Sequence, residues 1–122
     1  MKIHDFINEI EKKEIDVQFI DKLEETYGAK ISKYVKKLLS SSPEGIFFEC
    51  DDILRALSHK EIFDASEELS VDFVGLQLIP IFDTGDNDYI VFDIVNDNWC
   101  KFNIVDSVKF KQKSLLNEFF KK

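Results

Sequence analysis

The chain has 122 residues, 44% hydrophobic and 33% charged, with a formal net charge of −8. That balance excludes a disordered chain, and no apolar run reaches the roughly 18 residues that a membrane span requires. Area scaling leaves roughly 6,800 Å² exposed out of about 20,700 Å² for the open chain, so a single domain over residues 1–122 can enclose a core rich in its twelve Phe and one Trp.

The first third reads as helical. Ile3, Phe6, Ile7 and Ile10 follow helical spacing. Asp16 is placed to cap a second helix with Val17, Ile20, Leu23 and Tyr27 inward, and Gly28 to end it. Ser32 is placed to cap a third, with Tyr34, Val35, Leu38 and Leu39 inward. Ser40 to Gly45 is a break rich in turn formers. Ile46-Phe47-Phe48 reads as a short strand. Ser58 and Glu61 stand three apart as a capping box, which opens a helix with Ile62, Phe63 and Ala65 packed and Asp64, Glu67 and Glu68 in water.

From residue 76 the period becomes that of strands. Leu76, Leu78 and Phe82 fall on one face, Ile79 and Ile81 on the other. Asp83-Thr84-Gly85-Asp86-Asn87 reads as a turn, Tyr89 to Phe92 as a strand, and Asn96-Asp97-Asn98 as a second turn. Along Trp99 to Val105, Cys100, Phe102 and Ile104 alternate with Lys101 and Asn103. Val108 and Phe110 add a short strand, and Ser114 is placed to cap a closing helix that packs Leu115, Leu116, Phe119 and Phe120. Loops this short join antiparallel neighbours, because a parallel crossover needs a dozen or more residues. The expected architecture is α+β: N-terminal helices, an antiparallel meander of four to five strands, and a closing C-terminal helix. No internal repeat stands out.

The charge is unevenly spread. Residues 1–42 balance eight Lys against eight acids; residues 43–106 carry fifteen acids against Arg55, Lys60 and Lys101; residues 107–122 carry five Lys and one Glu. An acidic middle opposes contact with nucleic-acid backbones and with anionic membranes, and suits a basic protein partner. Simple solubility is the other reading. Cys50 and Cys100 lie in no CxxC or metal-ligand spacing, and the charged N-terminus lacks an apolar signal region. The expected setting is a reducing cytoplasm with both thiols free.

Catalysis is not expected. His4 and His59 stand in no nucleophile arrangement, and no phosphate loop or dinucleotide motif is present. Asp83, Asp86 and Asp88 do not follow EF-hand spacing; turn chemistry or partner contact accounts for them, and no metal or cofactor is expected. Trp99 is a core residue by the area it would bury, or a binding anchor at a cleft edge. The C-terminal lysines read as a solvated face.

Leu78-Ile79-Pro80-Ile81 leads into the acidic Gly turn Asp83-Thr84-Gly85-Asp86 and then into Tyr89-Ile90-Val91-Phe92-Asp93. With the helix holding Tyr34 and the closing segment Ser114 to Phe120, this order resembles the SUKH superfamily, over about Ile15 to Phe120. Ile31-Ser32 stands where that family often has Leu-Pro, and residues 49–75 carry no part of the resemblance. The resemblance implies a binding protein without a catalytic centre. Many bacterial members are immunity proteins that neutralise a cognate toxin, frequently a nuclease; other members are interaction scaffolds. The expectation is a monomeric or weakly dimeric immunity protein that occludes a basic toxin domain. Its candidate contacts are Asp51, Asp52, Glu67, Glu68, Asp83, Asp86, Asp88, Asp97 and Trp99. A scaffold without a toxin partner, and a small metal-dependent hydrolase, are the alternatives.

Overall fold

Three N-terminal helices precede the sheet. A computed structural model describes residues 1–49 and 53–120. Helix α1 spans Ile3–Glu9 and tightens into a 3-10 turn at Ile10–Lys12. Helix α2 spans Val17–Tyr27; Asp16 caps it by accepting from the Phe19 amide, and Gly28 ends it at φ 62°. At that left-handed angle a Cβ would be strained. Val17 is exposed, unlike the expectation, while Phe19 and Ile20 in the same turn of α2 are buried. Helix α3 spans Lys33–Ser40, but the Ser32 side chain makes no capping bond.

Among the described residues, six strands form one antiparallel meander in sequence order, one or two more than expected. They are β1 Ile46–Phe47, β2 Arg55–Ala56, β3 Leu78–Asp83, β4 Asp88–Asp93, β5 Asn98–Asn103 and β6 Val108–Lys113. Between β2 and β3 lie α4, His59–Glu68, with the complete Ser58/Glu61 capping box, and α5, Phe73–Leu76, capped by Asp72. Leu76 therefore ends a helix, exposed, instead of starting a strand. A register shift between Pro80 and Phe82 sets Ile79 opposite Phe92 and Phe82 opposite Ile90. Ile79 and Phe82 thus share a face, which strict alternation along β3 does not allow. The closing segment is a 3-10 turn, Leu116–Phe119, in place of a helix capped by Ser114; Leu115 points to solvent while Leu116 and Phe120 are buried.

Directly opposed residues in antiparallel strands point to the same side. One face therefore carries Arg55, Asp83, Tyr89, Val91, Asp93, Cys100 and Phe102; α5 packs on it through Phe73 against Phe102, and α4 lies beside Arg55 and Tyr89. The other carries Phe82, Ile90, Phe92 and Trp99, under Phe6 of α1, Tyr34 of α3 and Phe120. With helices on both faces, Leu78 to Phe82 and Tyr89 to Asp93 are buried without alternation. Helix α2 meets α4 where the Phe19 ring stacks on His59 at 3.5 Å; the His59 Nε2–H donates to the Leu39 carbonyl at 2.9 Å.

The hairpins reuse one device. Strands β3, β4 and β5 end on Asp83, Asp93 and Asn103, whose side chains accept backbone amides of the following turn. Asn87, Asp97 and Ser107 then take positive φ of 65°, 52° and 54° just before the next strand. Both sets recur every ten residues, with Ile-Val at 94–95 and again at 104–105. This is a local repetition that a reading by hydrophobic period passes over.

Candidate functional site

In a meander, successive connections alternate between the two ends of the sheet. The connections β1–β2, β3–β4 and β5–β6 share one end, marked by the register Arg55, Asp83, Asp88, Asn103 and Val108. The described residues of segments 48–54, 84–87 and 104–107 include Glu49, Asp86 and Asp106 and no Lys or Arg. Asp83 and Asp88 stand at the strand ends beside them. Exposed apolar residues lie at the same end: Phe47 at 69%, Leu54 at 43% and Val105 at 72%. Leu54 approaches the acidic turn, with its Cβ 3.9 Å from where a Cβ on Gly85 would sit.

The candidate contacts do not form one cluster. Asp83, Asp86 and Asp88 occupy the acidic end; Asp51 and Asp52 lie outside the described residues. Asp97 sits in the β4–β5 turn at the opposite end. Glu67 and Glu68 are exposed in the last turn of α4, which has no basic residue. Acids there oppose the helix dipole at about 0.3–1 kcal/mol each, so helix stability does not explain them. Trp99 is 4% exposed and packs edge-on against Phe92 and Tyr34, as its core reading predicts. Together with Tyr34, Phe92, Asp97 and Leu115 it also borders a groove of about 370 Å³.

Part of the acidic charge serves the fold. The Asp83 Oδ1 accepts from the Gly85 amide at 2.8 Å, and its Oδ2 lies 3.4 Å from the Arg55 guanidinium. The Asp88 Oδ1 accepts from Asn103 at 2.8 Å. Asp86 and Asp106 are exposed and free of such bonds among the described residues. Among those residues, no group of three or more His, Cys, Asp or Glu is arranged to hold a metal ion. No described helix is long and apolar enough to cross a membrane.

Next to the acidic end, a cleft of about 290 Å³ opens between α4 and the first face of the sheet. Glu61, Asp64, Ala65 and Glu68 face it from α4 at i, i+3, i+4 and i+7; Arg55, Leu57 and Tyr89 line the sheet side. The Arg55 Nη1 lies 2.5 Å from Glu61, which also serves the capping box. Burial pushes the Glu61 carboxyl up, but the Ser58 donors and Arg55 outweigh it and hold it below the usual range. Lys60 reaches back to Asp64 across the rim. None of Arg55, Glu61, Asp64 and Tyr89 is a sequence-derived candidate. One available signal is that Arg55 is the sole arginine among sixteen cationic residues, in the acidic middle of the chain. A planar guanidinium is the side chain suited to bridging two carboxylates.

No protein-family model matches the chain, and neither the curated proteins nor the solved structures yield a match.

Proposed function

We propose that this chain is a protein-binding module of the SUKH type, an immunity protein that occludes a basic toxin domain in the cytoplasm. The observation that carries the reading is the composition of one end of the sheet. Three connections at one end bear carboxylates without a compensating Lys or Arg, and exposed Phe47, Leu54 and Val105 stand among them. A surface of this kind attracts a cationic partner at long range and holds it by apolar contact at short range. Binding rather than catalysis suits a surface whose carboxylates are exposed or committed to turns.

The test is co-expression. Toxin domains encoded beside this gene are produced in a sensitive bacterium with and without the chain. Restored growth, together with a 1:1 complex that survives purification, supports the proposal. Unrelieved toxicity from every neighbouring toxin, with no complex recovered, overturns the immunity role.

A further inference from the structure

The lysines of β6 do not share one face of the sheet. Trp99 pairs with Lys113 and Lys101 with Phe110, so Lys111 and Gln112 together oppose Cys100 as a bulge. Strict alternation would set Lys109, Lys111 and Lys113 on one side. The bulge instead leaves Lys109 on the first face, where it meets Asp93 at 2.9 Å, and turns Lys113 to the second, beside Trp99. Lys111 takes φ 51° to allow this, a left-handed conformation that strains any residue with a Cβ. Re-aiming a side chain is a recurrent use of a bulge.

The lysines so turned border a cleft of about 310 Å³, lined by Lys101, Lys111, Lys113, Glu118, Ile53 and Phe119. Lys101 supplies a separate observation. It stands on β5 opposite the wholly buried Ile90, on the second face of the sheet, and is itself only partly exposed. Lysine rarely occupies such a place without a carboxylate partner. Yet none of Lys101, Lys111, Lys113 and Glu118 makes a side-chain ion pair or hydrogen bond among the described residues. Three ammonium groups therefore face one carboxylate around a single cleft, in a chain whose net charge is −8.

An anion relieves that repulsion. Lysine binds phosphate oxygens as a point charge, with no planar fork to align. The cleft lies at the lower end of the size range of small-molecule pockets, which suits a small ligand better than a peptide. At physiological ionic strength the Debye length is about 8 Å, so carboxylates farther off act weakly on an anion in contact with three ammonium groups. We propose that this cleft binds a small phosphate-bearing anion of two or more negative charges. Its phosphate oxygens lie among the ammonium groups of Lys101, Lys111 and Lys113, with Ile53 and Phe119 as the apolar wall beside them. The inference is independent of the docking function above.

The experiment titrates inorganic pyrophosphate into the isotopically labelled protein at constant ionic strength and follows the backbone amides by NMR. Saturable shifts around Lys101, Lys111 and Lys113 are expected. Lys101→Gln and Lys113→Gln should each weaken binding about threefold or more, and Glu118→Gln should tighten it. Lys13→Gln makes the same change in net charge outside the cleft and should leave the affinity within about twofold. Lys111→Gly separates a binding role from a structural one: it should raise the urea midpoint by relieving the left-handed strain, yet weaken pyrophosphate binding. ADP in place of pyrophosphate distinguishes the source, since tighter binding with shifts at Phe119 identifies a nucleotide and equal binding a free phosphate anion. Non-saturable shifts, equal weakening by Lys13→Gln, or an affinity unchanged in Lys101→Gln, Lys113→Gln and Lys111→Gly would overturn the inference.

Discussion

At the scale of single residues, the surroundings of each polar atom decide its role. The Tyr27 hydroxyl donates to the Leu78 carbonyl at 2.9 Å. Strand β2 pairs with β3 only at Phe82 and Asp83, so it leaves that carbonyl unclaimed, and burial pushes the Tyr27 hydroxyl's ionisation up. Tyr27→Phe should therefore cost about 1–3 kcal/mol, the penalty for a buried acceptor left unsatisfied. Tyr89→Phe removes a hydroxyl that makes no hydrogen bond among the described residues and should stay within about 0.5 kcal/mol of the parent. Urea denaturation of both variants tests the contrast, and equal losses would contradict it.

Asp93 offers a pH test at the same scale. Its side chain is almost wholly buried. Burial alone would raise the carboxyl, but the Lys109 ammonium at 2.9 Å and the Asn96 donors outweigh it and hold the carboxyl below the usual range. A depressed carboxyl contributes stability that is present above its unfolded value of about 3.9 and lost as the pH falls through the native value. Asp93→Asn should cost about 1–3 kcal/mol at pH 7 and progressively less below pH ~4. A gap between the two proteins that is constant from pH 7 to pH 3 would contradict this assignment.

At the scale of elements, what was legible in the sequence follows from how local each signal is. The capping residues Asp16, Ser58 and Glu61 and the stop at Gly28 act within one turn of chain, and each does what its spacing indicates. The three hairpins are equally local. Strand β2 escapes notice because two residues carry no period. The face of Phe82 escapes because helices bury both sides of β3, which removes the alternation that would reveal a bulge. Helix α5 is a single turn capped by Asp72, too short for a repeat to register. The cleft is the least local feature: Arg55, Glu61 and Tyr89 meet only through sheet register and the placement of α4. Of the three left-handed turn positions, Ser107 tolerates that conformation least, since Asn and Asp enter it more readily. Ser107→Gly should therefore stabilise the β5–β6 hairpin by about 0.5–1 kcal/mol, read as a higher urea midpoint at unchanged slope. A lower midpoint would contradict the turn analysis.

At the scale of the molecule, topology decides what the excess of carboxylates can do. An odd-numbered connection of the meander adds its charge to one end, and an even-numbered one adds it to the other. Sequence alone shows an acidic middle; strand order divides it, placing Asp83, Asp86 and Asp106 together and Asp97 apart. The edge strand β6 carries Lys109, Lys111 and Lys113, which discourage pairing with another strand and keep the sheet from extending. The molecule thus presents acid at one end and lysine along one edge, so opposed charge changes should not act alike.

The most direct test of the docking account measures association rates with the partner recovered by co-expression. Asp86→Lys with Asp106→Lys, both exposed at the acidic end, is compared with Asp97→Lys at the other end. The account predicts that the double reversal slows association about tenfold or more and flattens its salt dependence, while Asp97→Lys changes the rate by less than about twofold. Equal effects at the two ends, or no effect at either, would contradict it.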